Sequence, residues 1–324
     1  MSYAPDGEVL VTTSGTEALF AACQALLNPG DQCVVLLPAF PWYAPAVRLA
    51  GAEVVPVAMR APVPGRAGDG FRPDLGELAR ALDGPRVRML VVNSPHNPTG
   101  ACLSRADAEA VAALCRAREG LWVVSDEVYD HAVFGGREHV HLSALEGMRE
   151  RTVVVGSASK LLWVTGWRVG WALGPAAAIG AMQAVHGYVT FCAPVPLQEG
   201  VAGAIESGEA ERYARETAAA FEGNAALLVG ALGRMGLRGH PPGGGCFVVA
   251  DVGASGMTDV EWCRAALEAA GVGCVPLSAF YAGAGEGTDV PRSLVRIAIC
   301  KTRATVEEAA ARLEAHRGGL GSRT

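Results

Sequence analysis

Five short apolar runs in the first half of the chain each end in residues that can do chemistry. The run at 9–13 is followed by Ser14-Gly15-Thr16-Glu17, and the run at 33–37 by Pro38-Ala39-Phe40-Pro41-Trp42-Tyr43. Residues 89–92 lead into Asn93-Ser94-Pro95-His96-Asn97-Pro98-Thr99-Gly100, and 121–124 into Ser125-Asp126-Glu127-Val128-Tyr129. The run at 153–155 opens onto Gly156-Ser157-Ala158-Ser159-Lys160. The five ends supply hydroxyls, an aromatic face, an amide, a carboxylate with a phenol, and an amine. Lys160 is one of only two lysines, with Lys301, among 27 basic residues. An amine is the group that forms a Schiff base with a carbonyl. Gly15 and Thr16 open a predicted helix, where free N–H groups and the helix dipole favour an anion. Much later, Arg296 is a lone cation in an apolar strand-like run, where an unpaired charge is costly.

These residues need a frame that gathers chain ends. In an open parallel sheet, ligands sit beyond the carboxyl ends of the strands. Alternation of apolar runs with helical segments predicts such a sheet, covered by helices, in the first two-thirds of the chain. Runs at 54–57 and 168–173 add strands, and helices are predicted at 17–27, 74–82 and 104–118. The stretch 61–72, rich in Pro, Gly and Arg, reads as a surface loop. The last third changes character, with a long helix at 206–232, strands at 246–252, 273–276 and 294–300, and helices at 258–270 and 305–317. The region 287–292 reads as loop and 318–324 as a frayed tail. The expected fold class is α/β, with a large doubly wound, mostly parallel sheet domain over 1–210 and a smaller C-terminal α+β domain over 211–324.

Composition narrows the function classes. Of 324 residues, 50% are hydrophobic and 19% charged, which supports a core and excludes disorder. A net charge of −6 argues against a nucleic-acid binder with a basic face. Nine scattered cysteines contain no C-x-x-C pair, so neither a zinc site nor a disulfide framework is expected, and no metal is called for. The apolar runs are strand-sized, so no membrane span is expected. The first residues lack a basic start and an apolar run, so a secretion signal is not expected and a cytoplasmic setting is.

The constellation resembles the fold-type I, pyridoxal-phosphate-dependent aminotransferases of class I/II, from about residue 9 to about residue 312. Asn-Ser-Pro-His-Asn-Pro-Thr-Gly, Asp-Glu-Val-Tyr, Ser-Ala-Ser-Lys followed by Thr-Gly-Trp-Arg-Val-Gly, and the late Pro-Leu-Ser-Ala-Phe-Tyr are most similar to kynurenine/glutamine-type aminotransferases. The resemblance implies pyridoxal 5′-phosphate as cofactor, held as a Schiff base on Lys160. It also implies transfer of an amino group from an L-amino acid to a 2-oxo acid in two half-reactions. Lys160, once released, would move the Cα proton. Asp126 would hold the protonated pyridine nitrogen, although an Asp there is also a good helix N-cap. Tyr129 and Asn97 would donate to the ring's 3′-oxygen, while Asn97 also reads as an Asn-Pro turn. Gly15, Thr16, Ser157 and Arg168 match the phosphate contacts, the arginine because its fork bonds phosphate bidentately. Phe40 would stack on the ring or serve as core. Arg296 matches the clamp on the substrate carboxylate, and Tyr281 with Phe280 is a side-chain pocket candidate or packing. Trp42, Tyr43, His96 and His186 read as ordinary structural residues.

One departure stands out. In the family the first motif lies well inside the chain, whereas Gly15 is fifteen residues from the start of this sequence. The N-terminal arm and its part of the small domain are therefore expected to be absent. The resemblance also implies a homodimer, and charge-neutral or aromatic substrates fit better than aspartate. Other reactions on the same cofactor site remain open, namely C–S β-elimination or amino-acid oxidation, as does a truncated, non-catalytic chain.

Overall fold

Strands buried on both faces carry near-continuous apolar runs, because each side needs its own packing surface. The computed structural model describes residues 2–62, 70–281 and 288–322. In it β1 (Val9–Thr12), β2 (Gln32–Leu37), β3 (Glu53–Ala58), β4 (Val87–Asn93), β5 (Trp122–Asp126), β6 (Thr152–Ser157) and β7 (Gly170–Leu173) form one sheet. Its order is β1-β7-β6-β5-β4-β2-β3. The β2–β3, β2–β4, β4–β5 and β5–β6 pairs are parallel, and β7 runs antiparallel to both β6 and β1. The carboxyl ends of β4, β5 and β6 consequently open on one rim.

The period-two alternation of the strands sorts their side chains between two cores. Val35, Val91, Val124 and Val153 pack with Ala18 and Ala22 of the helix Gly15–Leu26 and with Ile179 and Met182 of the helix Ala176–Val189. Val34, Leu90, Val92 and Val123 face the other way, onto the helices Leu75–Leu82 and Arg105–Arg116. Helices thus cover both faces, the doubly wound arrangement expected of the large sheet.

A second sheet follows. β8 (Arg238–His240), β9 (Phe247–Asp251), β10 (Val275–Pro276) and β11 (Leu294–Ala298) lie in the order β10-β11-β9-β8, with antiparallel pairing throughout. Phe221, Leu228 and Leu232 of the helix Glu209–Arg234, Trp262 of Asp259–Ala270 and Leu313 of Arg303–Ala315 share one core with Val248, Ala250, Val295 and Ile297. Thr258 and Glu261 form a reciprocal capping box at the start of the second of these helices.

Several expectations change. The long helix begins at Glu209, not at 206, because Gly208 in the left-handed region (φ +75°) separates it from a distinct helix, Val195–Glu206. The helices Tyr43–Leu49, Ala176–Val189 and Val195–Glu206 were not predicted; the last two lack a polar stripe to signal helical period. The tail is anchored rather than frayed: Arg317–Leu320 is helical, Leu320 is buried, and its carbonyl accepts a 2.9 Å bond from Trp262 Nε1. Of the predicted loop 61–72, residues 63–69 lie outside the described residues, as do Gly287 of the loop at 287–292 and residues 323–324 of the tail. Among the described residues no helix is long and apolar enough to cross a membrane.

Candidate active site

Parallel pairing of β4, β5 and β6 places Asn93, Asp126 and Ser157 at adjacent strand ends, and a cavity of about 360 Å³ opens there. Gly15, Thr16, Phe40, Asn97, Asp126, Tyr129, Ser157, Lys160, Arg168 and Arg296 all line it. They come from seven separate stretches of chain. Of the predicted site residues, the two side-chain pocket candidates, Phe280 and Tyr281, are not among the cavity-lining residues. Tyr281 is 6% exposed and belongs to the core of the large sheet, so its ring is a packing element.

One end of the cavity is built by backbone. Gly15 starts its helix after Ser14, whose φ of +81° turns the chain sharply and whose side chain caps no N–H. The first N–H groups of a helix have no intrahelical acceptor. β7 packs closely against this turn. A Cβ on Gly170 would fall 2.3 Å from the Gly15 nitrogen, so glycine is required for the approach. Ser157 caps the short helix Ala158–Leu161, accepting from the Ser159 N–H at 3.2 Å. Arg168 sits in the left-handed region (φ +56°), and its guanidinium is fixed by the Thr165 carbonyl at 2.8 Å.

The opposite end carries a buried carboxylate. Asp126 is 4% exposed and accepts a 2.6 Å hydrogen bond from the Tyr43 hydroxyl. Burial raises its pKa to about 6, against the lowering effect of that hydrogen bond and of the Val128 N–H. No cation pairs with it among the described residues. Such a group is suited to a positively charged N–H donor. Burial likewise pushes the phenols of Tyr129 and Tyr43 well above the ordinary tyrosine range, so both stay protonated and able to donate.

Between the ends, Lys160 Nζ lies 5.6 Å from the centre of the Trp163 ring and 5.9 Å from that of Tyr129. It joins no ion pair among the described residues. Asn93 positions the 96–100 turn, donating to the Asp126 carbonyl at 2.8 Å and accepting from the Asn97 N–H at 2.8 Å. Arg296 arrives from β11, in the other sheet. Its guanidinium is held between Phe247 and Phe280, 4.1 and 4.5 Å from their ring centres, and donates to Asn97 Oδ1 at 2.9 Å. It too lacks a carboxylate partner among the described residues.

Sequence reasoning missed Tyr43, Asn93, Ser159, Thr165 and Phe247 as wall residues. Tyr43 and Asn93 were quoted or adjacent to the quoted motifs, but only the fold shows which neighbours they meet. His96 and His186 are structural, bonded to Thr99 Oγ1 at 2.7 Å and Glu17 Oε1 at 2.8 Å.

Comparison with known proteins gives the family. A family model described as aminotransferase class I and II matches residues 1–313. The probable N-succinyldiaminopimelate aminotransferase DapC of Mycobacterium tuberculosis is 39% identical over 318 residues, covering 97% of this chain and 78% of that protein. The arginine–pyruvate transaminase AruH of Pseudomonas aeruginosa is 39% identical over 279 residues, covering 86% of this chain and 68% of that one. Among solved structures, N-succinyldiaminopimelate aminotransferase from Mycobacterium tuberculosis superimposes with a TM-score of 0.89 at 38% identity, over 97% of this chain and 79% of that one. YbdL from Escherichia coli, a methionine aminotransferase, gives a TM-score of 0.88 at 32% identity, over 97% and 78%. The chain belongs to the class I and II aminotransferases, pyridoxal-phosphate-dependent enzymes that move amino groups between amino acids and 2-oxo acids.

Proposed function

We propose that this aminotransferase holds its cofactor between Asp126 and the Gly15–Thr16 turn, attaches it to Lys160, and clamps the carboxylate of a neutral or aromatic amino acid on Arg296. One observation carries the reading: a single cavity is lined by an unpaired buried carboxylate, an amine and two guanidinium groups from different elements. Its volume falls at the small end of the ~300–1,000 Å³ usual for small-molecule sites. The residues fit pyridoxal phosphate, with a helix N-terminus, Ser157 and Arg168 for the phosphate and Asp126 for the pyridine N–H. Bound there, the cofactor supplies an electron sink for the charge that develops at the amino-acid Cα.

The chain's own groups do the rest. Lys160 Nζ takes the Cα proton and returns one at the end of the half-reaction. Asp126, steadied by the Tyr43 hydroxyl, keeps the pyridine nitrogen protonated. Tyr129 and Asn97 orient the ring's oxygen edge, and Phe40 covers its face. Arg296 fixes the substrate so that its Cα proton faces the lysine. Lys160, Arg168 and Arg296 are the cations lining the cavity, and the remaining wall includes Leu19, Phe40, Val128 and Phe247. That lining supports substrates without a second carboxylate. The test is the visible spectrum of purified protein with pyridoxal phosphate and glutamine. A cofactor band that bleaches on amino-acid addition and returns with a 2-oxo acid is the expected result. Release of pyruvate and ammonia from a cysteine conjugate, without dependence on a 2-oxo acid, would overturn it.

Arg296→Leu should lower kcat/KM by roughly 10²–10³-fold, since a partly buried charge pair is worth about 3–5 kcal/mol when one partner is removed. The loss should fall mainly on KM for the amino acid, with the cofactor band intact. An unchanged KM would assign the carboxylate to another group.

We further propose a cytoplasmic homodimer, divided near residue 210 into a cofactor-holding part and a smaller C-terminal one. Tyr188 is 97% exposed, Phe191 82% and Val195 57%, a run of apolar side chains that water alone covers poorly. Nine free cysteines suit a reducing compartment. Light scattering should give about twice the 33.4 kDa chain mass; the monomer mass at micromolar concentration would refute the dimer.

A further inference from the structure

Glu127 follows Asp126 in the chain, yet it lines no part of the cavity that Asp126 lines. Its side chain is buried, and its two oxygens are separately engaged. Oε1 accepts from Ser125 Oγ at 2.7 Å, while Oε2 meets His139 Nε2 at 3.1 Å and His141 Nδ1 at 2.5 Å. We propose that Glu127, His139 and His141 form a binding site for a divalent transition-metal ion, separate from the aminotransferase centre.

Geometry and donor chemistry carry this. The three ligand atoms lie within 4.8 Å of one another, the one such group among the described residues. Around an ion bonded at about 2.0–2.1 Å in tetrahedral fashion, nitrogen and oxygen donors stand roughly 3.4 Å apart. The carboxylate oxygen already lies 3.1 Å from His139 Nε2, close to that spacing. The two imidazole planes are inclined at 83°, with ring centres 4.5 Å apart, so the nitrogens approach from different directions rather than stacking. Two imidazoles and one carboxylate favour Zn²⁺, Co²⁺ or Ni²⁺ over the oxygen-seeking Mg²⁺ and Ca²⁺. Ser125 supplies the outer hydrogen bond that orients a ligating carboxylate.

Access is also provided. The His139 side chain is 6% exposed and that of His141 is 49% exposed, so one ligand is fixed inside while the other faces solvent. Beside His141 a cavity of about 200 Å³, lined also by Asp130 and His131, leaves room for water ligands and a path of entry. Sequence reading expected no metal because it looked for cysteine pairs. Here a carboxylate at a strand end is met by two histidines from a loop twelve and fourteen residues later.

The experiment uses untagged holoenzyme, stripped with chelator and titrated with Zn²⁺ in a calorimeter and with Co²⁺ in a spectrophotometer. One equivalent per chain and a Co²⁺ band to the red of the cofactor band are expected. His139→Ala and His141→Asn should each weaken binding by at least about 100-fold, beyond the 10–100-fold loss typical of outer-shell changes. The cofactor band should stay in place in both variants. His141 is the more exposed of the two, so His141→Asn remains informative if His139→Ala does not fold. Absence of binding overturns the proposal and leaves a hydrogen-bonded carboxylate. So does binding that both variants leave unchanged, which would mean an adventitious ion only.

Discussion

Lys160→Ala is expected to abolish the half-reaction with an amino-acid donor, by at least about 10⁴-fold in single-turnover rate, and to remove the covalent cofactor band. Two contributions disappear together: the attachment point and the proton carrier, each of which is worth orders of magnitude in enzymes of this chemistry. The protein itself should remain folded. Lys160 makes no ion pair among the described residues, and its contacts are with the faces of Tyr129 and Trp163. Thermal unfolding of the variant without cofactor should therefore stay within a few degrees of the wild type, on the usual scale of stability change per kcal/mol. The other lysine is the natural control. Lys301 is exposed at the end of the small sheet, and Lys301→Ala should keep both the band and the rate. Equal loss in both variants, or retained turnover in Lys160→Ala, would sink the assignment. A band that survives without Lys160 would place the attachment elsewhere.

Asp126→Asn should separate what this carboxylate does for catalysis from its effect on stability. With pyridoxal phosphate present, turnover should fall by roughly 10²–10³-fold, the scale of losing one preorganised electrostatic partner. Cofactor affinity should fall as well, because the amide cannot hold a protonated nitrogen as an ion pair. Without cofactor the sign reverses. Burial raises the Asp126 pKa to about 6 in the folded chain, against about 3.9 in an unfolded one. The protonated acid is thus favoured by folding. Its contribution to stability is complete below about pH 4, is lost as pH rises to about 6, and is flat beyond. A shift of that size corresponds to something on the order of 3 kcal/mol. The asparagine variant has no such loss, so relative to wild type it should gain stability at pH 7.5 and not at pH 4. Urea titrations of the cofactor-free proteins at the two pH values would show it. An equal difference at both would mean that Asp126 is not held in its charged form at a cost.

The proposed catalytic use of Asp126 and its cost to the cofactor-free fold have one origin. The residue ends β5, a strand buried on both sides, and among the described residues Tyr43 is the one side chain that donates a hydrogen bond to its carboxylate. A cation arriving at that oxygen lowers its proton affinity and repays the desolvation. Cofactor binding should then stabilise the protein more at neutral pH than at acid pH.

Much of this was legible in the chain alone. Short apolar runs rich in branched residues read as strands buried on both sides, because branched side chains suit a pleated surface and the runs are strand-length. Polar residues directly after such runs have to lie at one rim once the strands are parallel. Lys160, Asp126 and Asn97 were therefore readable as neighbours at one rim, whereas Arg296, inside a strand of the other sheet, was flagged by its lone charge and by the family resemblance. Helix positions were less so where the pattern lacked contrast. The helices Ala176–Val189 and Val195–Glu206 carry alanine, glycine and apolar residues on most faces, so no periodicity marks them.

Tertiary structure decided the pairings between distant segments. Tyr43 reaches Asp126 across 83 residues, and Arg296 reaches Asn97 across 199. Phe247 and Phe280, from two different segments, enclose the Arg296 guanidinium. Tyr281, one position beyond Phe280, turns instead into the core of the large sheet. Glu127 and Asp126 are neighbours in the chain, yet one lines the cavity and the other meets two histidines. Local pattern constrains which residues are buried and which element they occupy, because those depend on nearest neighbours along the chain. Which buried groups meet depends on sheet order and register, set by packing over the whole molecule.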